Sequence, residues 1–295
     1  MKLSHASIAV TGATGFLGKY LIEALLAHGA SPVAVVRNPE KARTLRNRGV
    51  EVRAADLGDR RALQAAFEGT DAVVANAGVI SFTRPRAARQ ANVEGTRNVF
   101  EAMAAAGIRR AVAISSTAVY PPSLRVRDES CPLRRSGPLA WNVYGASKAE
   151  AERLAWELAS QYEINLTTFR PSGITAPDDP LLMRSLHRLM GKRVAPLPVF
   201  ARIGVVHAAD VAGAVCQALA EPQTAGGKAY NLQGQTVSFW EMTDSYLRAG
   251  GHGPRLRIPV PLPFSLRYDD GRARRELAFS PRSVDTICSE ALANR

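Results

Sequence analysis

The chain has 295 residues, of which 46% are hydrophobic and 22% are charged, and this composition lies near the average of globular domains. It excludes disordered and collagen-like chains, and the length suits one large α/β domain or a domain with a smaller appendage. The net charge of +12 is compatible with polynucleotide binding, but the basic residues are scattered and no aromatic platform is interleaved with them. We therefore expect no nucleic-acid partner and attribute the charge to compositional bias and to attraction for an anionic cofactor.

Short β-type segments alternate with longer helical stretches from the N-terminus, which is the pattern of βαβ units and a parallel sheet. The predicted strands are residues 7–11, 32–37, 51–54, 71–76, 110–115 and 165–170. The predicted helices are residues 16–27, 40–48, 60–67, 86–106 and 144–162. These elements predict an α/β fold with a Rossmann-type doubly wound parallel sheet in a dinucleotide-binding domain of residues 1–170.

The alternation breaks after residue 170, where a proline-containing stretch covers residues 171–198. A helix is predicted near 209–220 and a strand at 229–232. Ser238 and Glu241 have the spacing of a capping box that begins another helix, and the Gly- and Pro-rich residues 250–263 predict a loop or an isolated edge strand. We expect residues 171–295 to form a small C-terminal substrate-binding region, interleaved with Rossmann elements that return at about 205–232.

A glycine-rich segment, Thr11-Gly-Ala-Thr-Gly-Phe-Leu-Gly18, lies between the first predicted strand and the first predicted helix. Glycine lets the chain turn tightly and brings backbone N–H groups against a pyrophosphate, while the helix N-terminus supplies favourable dipole charge. A plain turn is the alternative, but the position between strand and helix favours phosphate binding. The residues expected to bind the cofactor here are Gly12, Thr14, Gly15, Phe16 and Leu17.

The end of the second predicted strand indicates which dinucleotide is bound. An NAD-binding protein is expected to have an Asp or Glu about 20 residues past the glycine loop, whereas this chain has Arg37 and Asn38 in that place. Because Arg37 suits a 2'-phosphate, the sequence favours NADP, with NAD possible. A solvated arginine at a strand end is the alternative interpretation.

Two further strand ends are expected to reach the same crevice. Asp56 and Leu57 are placed to contact the adenine, and Asn76, Ala77 and Gly78 to run beneath the ribose and the diphosphate. These assignments depend on position, since each segment alone would be an ordinary loop.

Tyr144 and Lys148 lie four residues apart in a predicted helix, so both side chains share one face. A free tyrosine titrates near pH 10, and an adjacent ammonium stabilises the phenolate, which lowers the pKa of the phenol toward a useful range. Ser116 follows the fifth predicted strand, whose carboxyl end opens on the same crevice. The three groups predict proton transfer at a substrate oxygen.

At this point the chain resembles the extended short-chain dehydrogenase/reductase family, also called the NAD-dependent epimerase/dehydratase family. The resemblance runs from about Ile8 to Leu232 and includes the TGxxGxxG loop and a YxxxK pair. The other matching motifs, in the family's order, are Asp56-Leu57, Asn92-Val-Glu-Gly-Thr96, Ser115-Ser-x-x-Val-Tyr120, Arg170-Pro171, Val206-His207 and Asp210-Val211. A single YxxxK is common by chance, whereas the ordered set is specific.

The resemblance implies roles for these residues. Tyr144 would be the general acid or base, Lys148 would hold the nicotinamide ribose and tune the tyrosine, and Ser116 would orient the reacting oxygen. The remaining cofactor-binding positions that the resemblance implies are Ile114, Pro171, Ser172, Gly173 and Ile174.

The residues around Ser116 narrow the reaction. Counting back from Tyr120 favours Ser116 over Ser115 or Thr117 as the family's serine. Sugar 4,6-dehydratases place an Asp-Glu pair directly after this position, whereas Thr117-Ala118 follows here. Without those carboxylates, that dehydration lacks its acid and base.

Nucleotide-sugar epimerases commonly have an Asn shortly after the arginine of strand six and a Tyr-Gly after strand five, whereas this chain has Arg170-Pro-Ser-Gly173 and Tyr120-Pro121. These segments look more like the dihydroflavonol-reductase and 3β-hydroxysteroid-dehydrogenase branches. The resemblance therefore implies hydride exchange with a ketone or secondary alcohol on a small-molecule substrate. The alternatives are a nucleotide-sugar epimerase and a non-catalytic NADP-sensing protein, although such sensors usually lose the Tyr or Lys that this chain retains.

A helix with an apolar stripe at Leu182, Leu186, Leu189 and Met190 is expected over residues 181–193. It either closes over the substrate or packs in the core, and core packing is the more common outcome for such a stripe. Trp141 and Asn142 precede the catalytic tyrosine and either line the pocket or belong to a structured loop.

The cysteines Cys131, Cys216 and Cys288 are odd in number and far apart, so no disulfide framework is expected and a reducing cytoplasm fits. The five histidines have no metal-ligand pairing, so no metal is expected. No segment reaches membrane-spanning length, and no membrane partner is expected. Family members often pair the helices 86–106 and 144–162 across a dimer axis, so a homodimer is a hypothesis. It draws on the apolar positions Val93, Phe100, Met103, Leu154 and Leu158, part of which face the sheet.

Overall fold

The computed structural model describes residues 3–81, 83–123, 125–135, 142–262 and 264–293. Its first half contains the predicted βα alternation. The strands are β1 (Ser7–Thr11), β2 (Ser31–Val36), β3 (Glu51–Ala54), β4 (Ala72–Ala75), β5 (Arg110–Ile114) and β6 (Asn165–Pro171). The helices are α1 (Phe16–Ala27), α2 (Arg43–Arg46), α3 (Arg60–Phe67), α4 (Pro85–Arg89), α5 (Gly95–Ala105) and α6 (Val143–Gln161). The Rossmann-type sheet is therefore confirmed, with most bounds within one residue of the prediction.

The second half contains more regular structure than the sequence predicted. Its strands are β7 (Gly173–Thr175), β8 (Val194–Pro198), β9 (Arg202–His207), β10 (Lys228–Leu232), β11 (Gln235–Ser238) and β12 (Leu256–Val260). Its helices are α7 (Leu182–Met190), α8 (Ala208–Ala220), α9 (Pro222–Ala225), α10 (Phe239–Arg248), α11 (Gly271–Glu276) and α12 (Val284–Ala293). The capping box before α10 is confirmed, because Ser238 and Glu241 exchange side-chain-to-backbone hydrogen bonds.

Two helix predictions need correction. The expected helix at residues 40–48 is a 3₁₀ turn (Pro39–Ala42) followed by the single turn α2, because Asn38 caps the turn through its side chain. The expected continuous helix at residues 86–106 contains a π-helical turn (Gln90–Glu94) between α4 and α5. Such turns often mark functional positions in helices.

The central sheet has seven strands in the order β10-β6-β5-β4-β1-β2-β3. Each of the strands β1 to β6 is parallel to its neighbours among these six. The strand order reverses between β1 and β4, and ligands of open α/β sheets bind outside the carboxyl ends of strands at such a point. Helices α3, α5 and α6 share one hydrophobic cluster with this sheet. The positions that suggested a dimer, Val93, Phe100, Met103, Leu154 and Leu158, are all buried in that cluster.

The chain divides into two compact units, and the first contains residues 1–121, 132–170 and 212–230. The second contains residues 122–131, 171–211 and 231–295. In the second unit β9 pairs in parallel with β7 and antiparallel with β11, while β8 and β12 form a separate parallel pair. Its core includes residues of α7, α10 and α12. No helix among the described residues is long and apolar enough to cross a membrane.

The stripe on α7 serves mainly as core packing. Leu186 and Met190 are buried with Met183 among side chains of the second unit, and Leu182 packs against the same cluster. Strands β9 and β11 and the C-terminal helices α11 and α12 were not predicted. The two strands obtain their ladder hydrogen bonds from distant segments, and α12 is buried against residues of α7 and α10 that are distant in sequence.

Candidate active site

The glycine loop joins β1 to α1 and holds an unusual backbone conformation. Gly12 has a φ of +66°, and a Cβ at this position would lie 2.9 Å from the Ala77 Cα. The loop closes through a hydrogen bond from the Gly15 N–H to the Gly12 carbonyl, 2.9 Å long. Gly15 is exposed at the N-cap of α1 and has no side chain to accept from the first-turn amides. These N–H groups and the dipole of α1 suit a pyrophosphate.

Thr11 and Asn76 fix the loop against the end of β4. The Thr11 hydroxyl accepts hydrogen bonds from the backbone N–H groups of Asn76 and Ala77, both 3.1 Å long. The Asn76 side-chain amide donates to the carbonyls of Thr11 and Gly12 at 3.3 and 3.4 Å. Asn76 therefore supports the loop from below, and Thr11, which the sequence analysis did not single out, has the same function.

Arg37 and Asp56 stand together after the ends of β2 and β3. Arg37 is largely exposed, and its Nε lies 3.9 Å from an Asp56 carboxylate oxygen. The other Asp56 oxygen accepts from the Gly58 N–H at 2.8 Å. Leu57 packs against Gly95 of α5, and its carbonyl accepts from Asn98. The guanidinium of Arg37 is thus accessible beside the end of β3, as expected for a group that could bind the adenosine part of a dinucleotide.

Ser116 and Tyr144 are brought together by a close approach of α6 to the end of β5. A Cβ on Gly145 would lie only 2.4 Å from the Ala118 carbonyl oxygen, so glycine permits this contact. Asn142 caps α6 by accepting from the Gly145 N–H at 2.8 Å. The Ser116 hydroxyl accepts from the Ala118 N–H and is hydrogen-bonded to the Tyr144 hydroxyl. Asn142 therefore acts as a helix cap, and Trp141 lies outside the described residues.

The pKa of Tyr144 differs from the expectation in direction. Burial raises the pKa of its phenol above the ordinary value, and the hydrogen bond from Ser116 opposes that rise. The Lys148 ammonium donates instead to the Ile114 carbonyl, with a length of 2.7 Å. The predicted lowering of the Tyr144 pKa by Lys148 is therefore wrong for this structure, because Lys148 interacts with the end of β5 rather than with the phenol. The Tyr144 phenol therefore stays protonated at neutral pH and can donate its proton.

Burial also changes the pKa of Lys148. Burial lowers the pKa of its ammonium from 10.5 to about 8, and the nearby Glu152 carboxylate opposes that change. Between about pH 8 and 10.5 the unfolded chain binds this proton and the folded chain does not. The contribution of Lys148 to the free energy of unfolding therefore rises with pH in this range.

We expect Lys148→Met to be at least as stable as the wild type at pH 7, because a partly buried charge is removed. Relative to the variant, the wild type should gain free energy of unfolding as the pH rises from 8 to 10. Urea unfolding at several pH values measures this difference. A variant that is markedly less stable at pH 7, with no pH trend, would contradict the assignment.

Glu152 extends the Tyr144–Lys148 face of α6 by one more turn and forms a buried network. Its carboxylate accepts from the Ser115 hydroxyl at 2.5 Å and from the Arg170 Nε at 2.9 Å. Arg170 also donates to the Tyr120 hydroxyl at 2.6 Å. Burial disfavours the Arg170 cation, but Glu152 and Tyr120 raise its pKa above the ordinary value. Only 1% of the Glu152 side chain and 6% of the Arg170 side chain are exposed.

This network separates the two serines of the motif. Ser115 contacts Glu152 and belongs to the support, while Ser116 contacts Tyr144. Glu152 was not among the predicted site residues, although its spacing of four residues from Lys148 already placed it on the same helix face.

Asn92, in the π-helical turn, ties α6 to the segment after β4. Its side-chain amide donates to the Ser147 hydroxyl at 3.0 Å and to the Val79 carbonyl at 3.1 Å, while its oxygen accepts from the Val79 N–H. Ser147 in turn donates to the Tyr144 carbonyl. Gly78 lies within this junction, and a Cβ there would be 3.1 Å from the Asn92 oxygen. Asn92 is thus a second supporting residue without an assigned role in the sequence analysis.

The segment from Pro171 to Ile174 lies in the second unit and is described there alone. Ser172 donates its N–H to the Leu232 carbonyl and its hydroxyl to the Gln233 carbonyl. Gly173 and Ile174 are in β7, beside β9. Their expected contact with a cofactor stays a prediction. Among the described residues, no group of three or more His, Cys, Asp or Glu side chains could hold a metal ion.

The first unit fits a nicotinamide dinucleotide at the carboxyl edge of its sheet. The glycine loop presents helix N–H groups for the diphosphate, and Arg37 stands where the second strand ends. The Ser116–Tyr144 pair lies after β5 and Lys148 at its last carbonyl. The residues suited to the diphosphate are Gly12, Thr14, Gly15, Phe16 and Leu17.

The chain is similar to several known proteins. The model of the NAD dependent epimerase/dehydratase family matches residues 8–232. Ceramide reductase of Caulobacter vibrioides is 28% identical over 258 residues, which cover 86% of this chain and 74% of that protein. Cinnamoyl-CoA reductase 1 of Petunia hybrida is 34% identical over 190 residues, which cover 59% of this chain and only 56% of that protein.

A solved UDP-glucose-4-epimerase from Stenotrophomonas maltophila, with bound NAD, has the same fold. Its TM-score is 0.85 at 21% identity, with 98% of this chain and 97% of that chain covered. The likeness covers nearly the whole chain and shows the fold alone.

Proposed function

The chain belongs to the NAD dependent epimerase/dehydratase family, and from that premise we propose that it is an NADP-dependent oxidoreductase that interconverts a ketone and a secondary alcohol. The family membership makes it an NAD(P)-dependent enzyme of the oxidoreductase type. The choice of carbonyl reduction within the family rests on the site itself.

The observation that carries the proposal is the hydrogen-bonded Ser116–Tyr144 pair, in which burial keeps the phenol protonated. When bound, a reduced nicotinamide cofactor supplies the hydride that reaches the carbonyl carbon. Ser116 then orients the carbonyl oxygen by a hydrogen bond, and Tyr144 donates its proton to that oxygen as negative charge develops there. The product is the alcohol, and Tyr144 recovers a proton from solvent. In the oxidative direction Tyr144 first loses its proton to solvent, and its phenolate then accepts the hydroxyl proton of the alcohol.

Lys148 supplies positive charge at the end of β5. Its pKa of about 8 leaves it largely charged at neutral pH, so an ammonium is available near the developing anion. Glu152, Asn92 and Asn142 are positioning residues, because each acts through another side chain or through the helix that presents Tyr144 and Lys148.

Sugar dehydration is not supported, because the residues after Ser116 are Thr117 and Ala118 rather than two carboxylates. Two relatives are named as reductases, ceramide reductase and cinnamoyl-CoA reductase, and this supports a reductive activity. The fold similarity to UDP-glucose-4-epimerase keeps nucleotide-sugar epimerisation as the second candidate.

The purified chain should consume NADPH when given a panel of ketones that includes long-chain and aromatic members. Epimerisation of a UDP-sugar without net change of cofactor would favour the second candidate. Tight cofactor binding with no turnover of either class would favour a non-catalytic NADP sensor. A homodimer and a cytoplasmic location remain parts of the proposal, and light scattering at micromolar concentration tests the dimer.

Cofactor choice is tested at Arg37. We expect Arg37→Ala to raise the KM for NADPH by about tenfold or more, because a charge-assisted contact to the 2'-phosphate is lost. The KM for NADH should stay unchanged. Arg43→Ala is the matched control, since Arg43 is an exposed arginine of the following turn that pairs with Glu40. Equal effects of Arg37→Ala on both cofactors would refute NADP selection by this residue.

A further inference from the structure

The two-stranded sheet of the second unit has one buried and one exposed face. Strands β8 and β12 pair with Val194 opposite Leu256 and Pro196 opposite Ile258. The residues that alternate with them in β8, Ala195 and Leu197, are fully buried. On the exposed side, Leu256 retains 55% of its accessible surface, Val194 43% and Ile258 42%. We call the four residues Val194, Pro196, Leu256 and Ile258 the apolar face.

Two further exposed apolar side chains lie in the loops that follow both strands. Phe200 is 64% exposed and Leu262 50% exposed. The Val199 and Leu262 N–H groups both donate to the Val260 carbonyl, so the two loops leave the sheet side by side. An exposed apolar surface of this kind marks an interaction site.

Positive charge lies at one end of this surface, where we call Lys192, Arg193 and Arg255 the cationic rim. Lys192 and Arg193 precede β8, Arg255 precedes β12, and all three are exposed at the same end of the parallel pair. The segments 181–200 and 245–268 contain no Asp or Glu at all. Two of their basic residues, Arg248 and Arg257, form ion pairs with Asp285 and Asp244 outside these segments. The other basic residues are Arg184, Arg188, Lys192, Arg193, Arg255 and Arg267.

The geometry points to docking of the apolar face and its cationic rim on an anionic lipid bilayer. Apolar side chains that enter the headgroup boundary, with Lys and Arg beside them, are the chemistry that anionic membranes recognise. A second copy of the chain is disfavoured, because two such basic surfaces would repel each other. Addition of a protein strand is disfavoured too, since prolines at positions 196, 198 and 259 remove backbone donors from these strands.

This proposal does not depend on the enzymatic activity. It departs from the expectation of no membrane partner, which considered only segments long enough to span a bilayer. A surface contact needs no such segment, and the exposed face exists only after two segments some 60 residues apart pair.

Vesicle co-sedimentation of the full chain tests the proposal. We expect binding to phosphatidylcholine vesicles that contain phosphatidylglycerol, weak binding to pure phosphatidylcholine, and loss of binding as salt increases. Ile258→Asp should weaken binding by about tenfold or more, because apolar contact is lost and repulsion is added. The matched control is Val126→Asp, which places a carboxylate at another exposed aliphatic residue of the same unit and should have a small effect.

A second variant keeps the test valid if Ile258→Asp fails to fold. Replacing Lys192, Arg193 and Arg255 by Ser changes only exposed side chains and should weaken binding by roughly fivefold for each charge removed. Replacing the exposed Lys41, Arg61 and Arg109 by Ser alters the net charge equally and should leave binding nearly unchanged.

Three results would overturn the proposal. The first is equal binding to neutral and anionic vesicles, and the second is equal weakening by the test and control variants. The third is a wild-type oligomer in light scattering that dissociates in Ile258→Asp without vesicles, which would assign the face to self-association.

Discussion

Tyr144→Phe should reduce NADPH-dependent ketone reduction by about 10²–10⁴-fold, because the variant retains the ring but has no proton to donate. The phenol is hydrogen-bonded to Ser116 and held protonated by burial, so its contribution is made in the reductive transition state. The loss should appear in kcat and kcat/KM alike, with the affinity for NADPH unchanged. Steady-state kinetics and cofactor titration by fluorescence measure both.

Tyr162→Phe is the matched control for this variant. Tyr162 ends the same helix and packs against the core of the first unit, far along the chain from the proposed site. It should retain full turnover. Ser116→Ala should also reduce turnover, whereas Ser115→Ala should mainly affect stability, since Ser115 contacts Glu152. Turnover that survives in Tyr144→Phe would remove the proton-transfer assignment.

Breaking the Glu152–Arg170 pair is the change with the largest expected effect on stability. Either Glu152→Ala or Arg170→Met leaves an uncompensated charge in the interior, which costs about 3–5 kcal/mol of the free energy of unfolding. The pair is almost entirely buried and is completed by Ser115 and Tyr120. Urea unfolding measures the loss.

The double variant Glu152→Leu/Arg170→Met should be less destabilised than the sum of the single variants, because no unpaired charge remains. Glu150→Ala is the control on the same helix, since Glu150 forms an exposed pair with Arg89, and it should change stability little. Single variants as stable as this control would show that the network does not support α6. A second readout is turnover, which should fall through the altered position of Lys148.

Local patterns predicted much of the first unit. Strands β1 and β3 and helices α1 and α3 have the predicted bounds, because hydrophobic periodicity and turn residues act within a few residues. The capping box before α10 was visible for the same reason. The short strands β9 and β11 were missed, since their pairing partners lie elsewhere in the chain and their segments have little periodicity of their own.

Backbone geometry and fixed spacing were enough to predict the glycine loop, the parallel sheet and the common face of Tyr144 and Lys148. Three other outcomes required the packed fold: Lys148 donates to the Ile114 carbonyl, Glu152 pairs with Arg170, and the Tyr144 pKa rises. These outcomes depend on desolvation and on hydrogen bonds between distant segments. Both arise when the sheet and α6 pack together, and neither is encoded in the spacing along one helix.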